Sequence, residues 1–262
     1  MPALRVATYN LLHGLDLRTG RVDLGAAARA VAASGADVVA VQEVDRGLDR
    51  SGGRDQVADL AGALGWHGLF APALSGDPGV AWRTVPGADP GGPGYGVGLL
   101  SATPLLRPAR VALPGGGDGR RAATATPQRP GWDHEPRVAV AADVVCEGAP
   151  VRVVCTHLSY LPWRGLRQLR VAARAGDRAG PAAWAGDRAV LVGDLNLPVW
   201  SVRLALGPAW RHAGGEPTYP AWRPRTQPDQ LLVTGRLAVQ RARVGARGPS
   251  DHLPLVATVH PL

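Results

Sequence analysis

Lysine is absent from this chain of 262 residues, so all 29 of its basic residues are arginine. Against 21 acids they leave a formal charge of +8. So complete a replacement, beside abundant Ala, Gly and Pro, reads as a coding-composition bias, and the total charge by itself names no anionic partner. Cysteine is scarce as well. Cys146 and Cys155 lie inside apolar runs, too few for a structural zinc site, and read as two buried small hydrophobes in a reduced chain. No window approaches the roughly 18–20 apolar residues of a membrane helix. The start MPALRVATYN has neither the basic region nor the apolar core of a signal peptide, so a cytoplasmic location is expected. There is no Walker A loop, no H-E-x-x-H, no C-x-x-C and no G-x-S-x-G elbow. Ser250-Asp251-His252 does not replace the elbow, because neighbours on a strand point to opposite faces.

What is present is an ordinary globular composition, 45% hydrophobic and 19% charged, which excludes wholesale disorder. Short Val-rich runs bounded by turn residues predict strands over Leu4–Thr8, Asp37–Val41, Val97–Leu100, Val138–Val145, Val151–Cys155, Ala189–Val192, Leu231–Val233 and Leu253–Val259. Helical spacing predicts helices over Leu24–Ala33 behind an Asp23 cap, Asp55–Leu64 before Gly65, Gly165–Ala175 and Ser201–Leu206. Ser75–Gly94 and Pro114–Pro136 are rich in Gly and Pro and read as strandless surface loops. With no repeat and no parting linker, residues 1–262 are expected to form a single α/β domain with mixed sheets.

Asn10, Glu43, His157, Asp194, Asn196, Asp251 and His252 all stand where an apolar run meets a loop. Any one of them reads equally as a strand terminator. Seven together suggest a site gathered at one rim. Carboxylate and amide oxygens are hard ligands suited to Mg²⁺ or Mn²⁺, which leaves the two histidines to donate hydrogen bonds or protons. Phosphate-ester hydrolysis is among the slowest uncatalysed reactions, and general acid–base catalysis supplies only about 10²–10⁴-fold. A site for that task needs metal, base, acid and fixed donors together, and this set contains all four. Asp194 and Asn196, two apart on an extended chain, would point the same way and share one water.

The stretches TYNLLHG, ADVVAVQEVDR, YGVGLLSATPL, EPRVAVAADV, THLSY, VLVGDLNLP, QPDQLLV and SDHLPLVATV occur in this order across residues 5–259. In them the chain resembles the endonuclease/exonuclease/phosphatase superfamily of metal-dependent phosphoesterases, most of all its small bacterial members. The resemblance implies a four-layer α/β/β/α sandwich with two mixed sheets face to face and the site at one edge. It implies Glu43 as principal Mg²⁺ ligand with Asn10 and Asp251 beside it, Asp194 activating water, and Asn196 orienting the water or the phosphate. His252 would contact the scissile phosphate, its tautomer held by Asp229, and His157 would steady the phosphate or protonate the leaving oxygen. Arg137 reads equally as a phosphate-positioning arginine or as a strand-end surface arginine, and Tyr95 reads either as a substrate contact or as packing. Two departures stand out. Leu12 occupies a position where some nucleases of the superfamily carry an Asp, and Pro228 precedes Asp229, where a strand would want an amide donor.

The superfamily's substrates span DNA, RNA, phosphoinositides, sphingomyelin and small phosphoesters. Arginines beside tryptophans, at Trp82-Arg83, at Arg120, Arg121, Arg129 and Trp132, and at Trp163-Arg164, could hold a phosphate backbone and stack a base, sit at a membrane surface, or be solvated arginines beside loop-anchoring tryptophans. Nucleic acid is the leading substrate class, with Trp132 and Arg164 as contacts. Phospholipid, phosphoinositide or small-molecule phosphoesters are the alternative, and a catalytically silent nucleic-acid-binding module is the rival of another class. No obligate protein partner is evident.

Overall fold

In the computed structural model, which describes residues 3–120, 133–178 and 188–262, burial with a period of two organises the sheets. Strand β1 (Leu4–Asn10) turns Leu4 and Val6 to one core and Ala7 and Tyr9 to another. Two short strands, β2 (Leu15–Asp16) and β3 (Arg21–Val22), then pair as a small hairpin. β4 (Val38–Arg46) repeats the β1 pattern, with Val38 and Ala40 facing in and Val39 and Val41 facing out. Both faces are covered, so these strands read as continuous apolar runs without polar alternation.

Beyond β4 come β5 (His67–Asp77), β6 (Ala81–Thr84), β7 (Gly94–Ser101), β8 (Leu106–Ala112) and β9 (Gly119–Arg120). They are followed by β10 (Val138–Cys146), β11 (Ala149–His157), β12 (Ala189–Asp194), β13 (Trp210–His212) and β14 (Asp229–Thr234). The chain closes with β15 (Leu237–Val239), β16 (Arg243–Val244) and β17 (Leu255–Pro261). Among the described residues, one sheet runs β15-β17-β1-β4-β7-β5-β6-β9 with β16 on β17, and the other runs β13-β14-β12-β11-β10-β8. Both are mixed, since β1–β4 and β11–β12 are parallel and their other pairings antiparallel.

Among the described residues, four α-helices complete the layers. α1 (Leu24–Ser34) is capped by Asp23, which accepts from Ala26 N at 2.7 Å, and α2 (Gln56–Leu64) by Asp55, which accepts from Ala58 N at 3.0 Å. Each ends at a left-handed glycine, Gly35 or Gly65. Both cover the outer face of the first sheet, where Val31, Val57 and Leu60 meet Val39 and Val41. α3 (Pro162–Arg178) and α4 (Val199–Leu206) cover the second, packing Leu169, Ala172 and Val202 on Val154, Leu191 and Leu232. Between the sheets lies a third core of Leu4, Val38, Leu99, Val140, Val153, Val192 and Leu231. This is the expected α/β/β/α sandwich.

The expected strands and helices are present, with two corrections. Ser75–Gly94 is not strandless: it holds the end of β5 and all of β6, whose edge pairs with β9 inside the second supposed loop. β5 and β8 were not foreseen, and each carries a proline, Pro72 and Pro108, that breaks an alternating pattern. Cys146 and Cys155 are both buried, as expected, and no disulfide joins them.

Candidate active site

The two sheets bring their polar strand ends to one edge. In the second sheet, His157 pairs with Asp194 across β11–β12, and Asp194 pairs with Asp229 across β12–β14. Lateral partners in a sheet point to the same face, so the three form a row. From the first sheet, Asn10 ends β1 opposite Gln42 of β4. One residue further a bulge interrupts β4, with Glu43 at φ +55°. A bulge re-aims the side chain it carries, and here it turns a half-buried carboxylate toward Asn10. Pro228 does not disturb Asp229, because its carbonyl accepts from Leu195 N at 2.9 Å and β14 starts after it.

Asn10 ties the sheets together. Its Nδ2 donates to Glu43 Oε1 at 2.8 Å and to Asp194 Oδ2 at 3.0 Å, while its Oδ1 accepts from Leu12 N at 3.1 Å. Ser250, buried in the loop before β17, donates to the Asn10 carbonyl at 2.6 Å and to Asp251 Oδ1 at 3.3 Å. That loop delivers His252, whose Nδ1 lies 2.8 Å from Asp229 Oδ2 and whose Nε2 lies 3.8 Å from Asp194 Oδ2. Asp229 also accepts from Thr218 through the same oxygen, whereas its Oδ1 is buried without a hydrogen-bond partner.

The charges follow from this enclosure. Burial pushes Glu43 up to about 7, helped by Glu135 and Asp194 and opposed by the Asn10 amide. Burial, with Asp229 adding, also lifts Asp194 above the ordinary carboxylate range, against the pull of His252. For His252 burial disfavours the imidazolium, yet the charge and hydrogen bond of Asp229, then Asp194, raise it to about 10. His157 is held well below its usual value by burial and by the positive charges of Arg137 and His252. One histidine is therefore a cation near neutrality and the other a neutral imidazole.

Asn196 departs from expectation. It is not on extended chain beside Asp194 but left-handed, at φ +50°, with its backbone N donating to Asp194 Oδ1 at 3.1 Å. Its Nδ2 donates to Leu158 O at 3.0 Å and meets His157 Nε2 at 3.1 Å. Asn196 thus leaves the His157 proton on Nδ1.

Arg137 lies buried at the mouth of β10, paired with Glu135 at 3.0 Å and Asp133 at 3.5 Å, and raised by these acids against the cost of burial. Tyr95 packs with Leu48 and Leu74 beneath the Arg50 guanidinium, 5.3 Å from its ring centroid. Arg164 is turned inward, donating to the carbonyls of Asp133 and Glu135. Trp82 likewise donates to Gly117 O at 3.0 Å. Trp132, Arg121, Arg129 and the Arg120 side chain lie outside the described residues. Thr218 and Glu135 were missed by the sequence reading. Glu135, two residues before Arg137, was open to discovery, but nothing around Thr218 signalled a partner for Asp229.

A divalent cation fits this set. Glu43, Asp194, Asp229 and Asp251 gather around His252, with the Arg137 cation already paired to Glu135 and Asp133, and two of the four are pushed toward protonation, which a hard cation would relieve. Asp194, Asp229 and His252 also present ligand atoms within 4.8 Å of one another. His252, with a carboxylate beside each nitrogen, behaves there as an ion-paired imidazolium, so the oxygen cluster around Glu43 is the better match to a hard ion. What remains is a buried carboxylate, a protonated and a neutral histidine, and a bound arginine facing one edge: the parts needed to activate water against an anionic ester.

The model of the "Endonuclease/Exonuclease/phosphatase family" matches residues 7–252. The solved structure of an endonuclease/exonuclease/phosphatase from Beutenbergia cavernae is similar at 24% identity and a TM-score of 0.72, covering 100% of this chain and 72% of its own. A mannosyl-6-phosphatase of Bacteroides thetaiotaomicron is similar at 17% identity and a TM-score of 0.68, over 98% of this chain and 99% of its own. The human Nocturnin catalytic domain, solved with a bound sulfate anion, is similar at 19% identity and a TM-score of 0.62, over 100% and 94%. No curated protein matches the chain significantly.

Proposed function

The chain belongs to the endonuclease/exonuclease/phosphatase family, and from that premise we propose that it is a divalent-metal-dependent phosphoesterase. The observation that carries this reading is the hydrogen-bonded line Glu43–Asn10–Asp194 drawn across the two sheets, with the Asp229–His252 pair beside it. Glu43 and Asp251, organised by Asn10, would hold Mg²⁺ or Mn²⁺. Bound there, the ion would supply Lewis acidity to a phosphoryl oxygen. Asp194 takes the proton of the attacking water, a role its raised affinity for a proton suits near neutrality. His252, kept protonated by Asp229, offers Nε2–H to the phosphoryl oxygens. His157, neutral and fixed by Asn196, steadies the leaving side, and Arg137 adds a buried positive charge to the same edge. Tyr95 closes the apolar wall.

Nucleic acid remains the first substrate class to assay, on the arginine surplus of the chain. The turning inward of Arg164 and Trp82 favours a second reading, a phospholipid or other phosphoester, since one member of each of two pairs chosen for nucleic acid is held on backbone carbonyls. The test is a panel of diesters and monoesters with Mg²⁺ or EDTA, run beside Asp194→Asn and His252→Ala. Turnover is expected only with metal and to fall by about 10²–10⁴-fold in each variant. Activity surviving EDTA and both substitutions would overturn the reading. Salt-dependent DNA binding without turnover under any divalent metal would instead make the chain a silent binding module.

A further inference from the structure

The outer layer formed by α3 and α4 carries a surface that hydrolysis does not use. Both helices begin just past a site segment, α3 after His157–Ser159 and α4 after Asn196, so their first turns flank the site edge. Each has a tryptophan at its second position, Trp163 and Trp200, exposed by 66% and 69%. Leu204, four residues after Trp200 and 78% exposed, lies on the same face of α4. The helices are neighbours: Leu169, Ala172 and Val202 share one core, and Gly165 of α3 packs on Leu197. A lone exposed leucine needs no explanation, but three large apolar side chains exposed on two neighbouring helices of one outer layer do.

Behind Trp163, α3 continues the exposed stripe with Arg167, Arg170 and Arg174 at helical spacing. Unlike Arg164, which is turned inward onto carbonyls, these three make no ion pair or hydrogen bond among the described residues. Unpaired cations alongside Trp and Leu on helix faces that look away from the core are what an interfacial helix presents to lipid. A nucleic-acid strand would need flat rings along a groove, and Leu204 offers no ring while both helix faces are convex.

We propose that α3 and α4 dock this protein on an anionic lipid bilayer, Trp163, Trp200 and Leu204 entering the head-group layer and the arginine stripe lying along it. Docking goes beyond the phosphoesterase reading and stands without it, because binding needs no turnover. The test is co-sedimentation of the full chain with vesicles of phosphatidylcholine alone or mixed with phosphatidylglycerol, across a salt series. Binding should require the anionic lipid and weaken with salt. The pair Trp200→Ala with Leu204→Ala, and separately the triple Arg167→Glu, Arg170→Glu and Arg174→Glu, should each lower partitioning by roughly tenfold while thermal midpoints stay put. No preference for anionic vesicles, binding untouched by both variants, or capture of a single-stranded oligonucleotide by these residues where vesicles fail would overturn it.

Discussion

Asp229 shows how one buried carboxylate can set the charge and orientation of a neighbouring histidine. Its Oδ2 holds His252 Nδ1 at 2.8 Å and keeps that ring protonated to about 10, fixing both its orientation and its charge. Asp229→Asn preserves the shape but removes the charge. The expected result is a kcat lower by about 10²–10⁴-fold, with KM for the same phosphoester nearly unchanged. Steady-state kinetics beside a thermal melt checks it, and a loss confined to KM would contradict the assignment. At this scale most of the site was legible, because Asn10, Glu43, Asp194, Asp229 and His252 close apolar runs or sit in recognisable motifs. Asn196 was only half legible. Its identity could be read, but not its left-handed backbone, which turns it from Asp194 toward His157. Thr218 could not be read at all, since its partner is reached only through the fold.

Among the elements, β12 is the least tolerant. Gly193 pairs with Thr156 of β11 one residue before the His157–Asp194 pair, and a Cβ on it would run into the Thr156 carbonyl. Gly193→Ala must therefore part β11 from β12 where the row of site residues begins. Destabilisation of about 1–3 kcal/mol is expected in urea unfolding, with loss of turnover even in the folded fraction. Gly62→Ala, in exposed α2 with nothing within 4 Å, should instead stabilise by about 0.5–1 kcal/mol. If the two changes had equal effects, crowding at Gly193 would not be the cause. The strands that could be foreseen were those buried on both faces, such as β1, β4 and β12, whose Val-rich runs are unbroken. β5 was hidden because HGLFAPALSGD mixes Gly, Pro and polar residues and takes a bulge at Pro72–Leu74. β6 and β9 lie at a sheet edge, where little burial is demanded of their sequence.

For the whole molecule, the decisive feature is that the site is divided between sheets. Asn10 and Glu43 come from the first, His157, Asp194 and Asp229 from the second, and the core of Leu99, Val140 and Leu231 holds the two together. Separating the sheets would dismantle the site, so anything binding Glu43 and its neighbours must stabilise both at once. A cation held by the native state alone adds RT ln(1 + [L]/Kd), or about 2.7 kcal/mol at a hundredfold excess over Kd. At about 2–4 °C per kcal/mol for a domain near this size, Mg²⁺ should raise the thermal midpoint by roughly 5–10 °C over EDTA. Because one core spans both sheets, far-UV circular dichroism and tryptophan fluorescence should report the same shifted transition. Glu43→Gln removes the charge the ion would answer while keeping an acceptor for Asn10 Nδ2, so it should abolish the Mg²⁺ increment without lowering the midpoint in EDTA. An increment that survives Glu43→Gln would remove Glu43 from the metal site and leave, among the described residues, the buried Asp194–Asp229–His252 group as the place for the ion, whereas a wild-type midpoint indifferent to Mg²⁺ would overturn the metal reading itself.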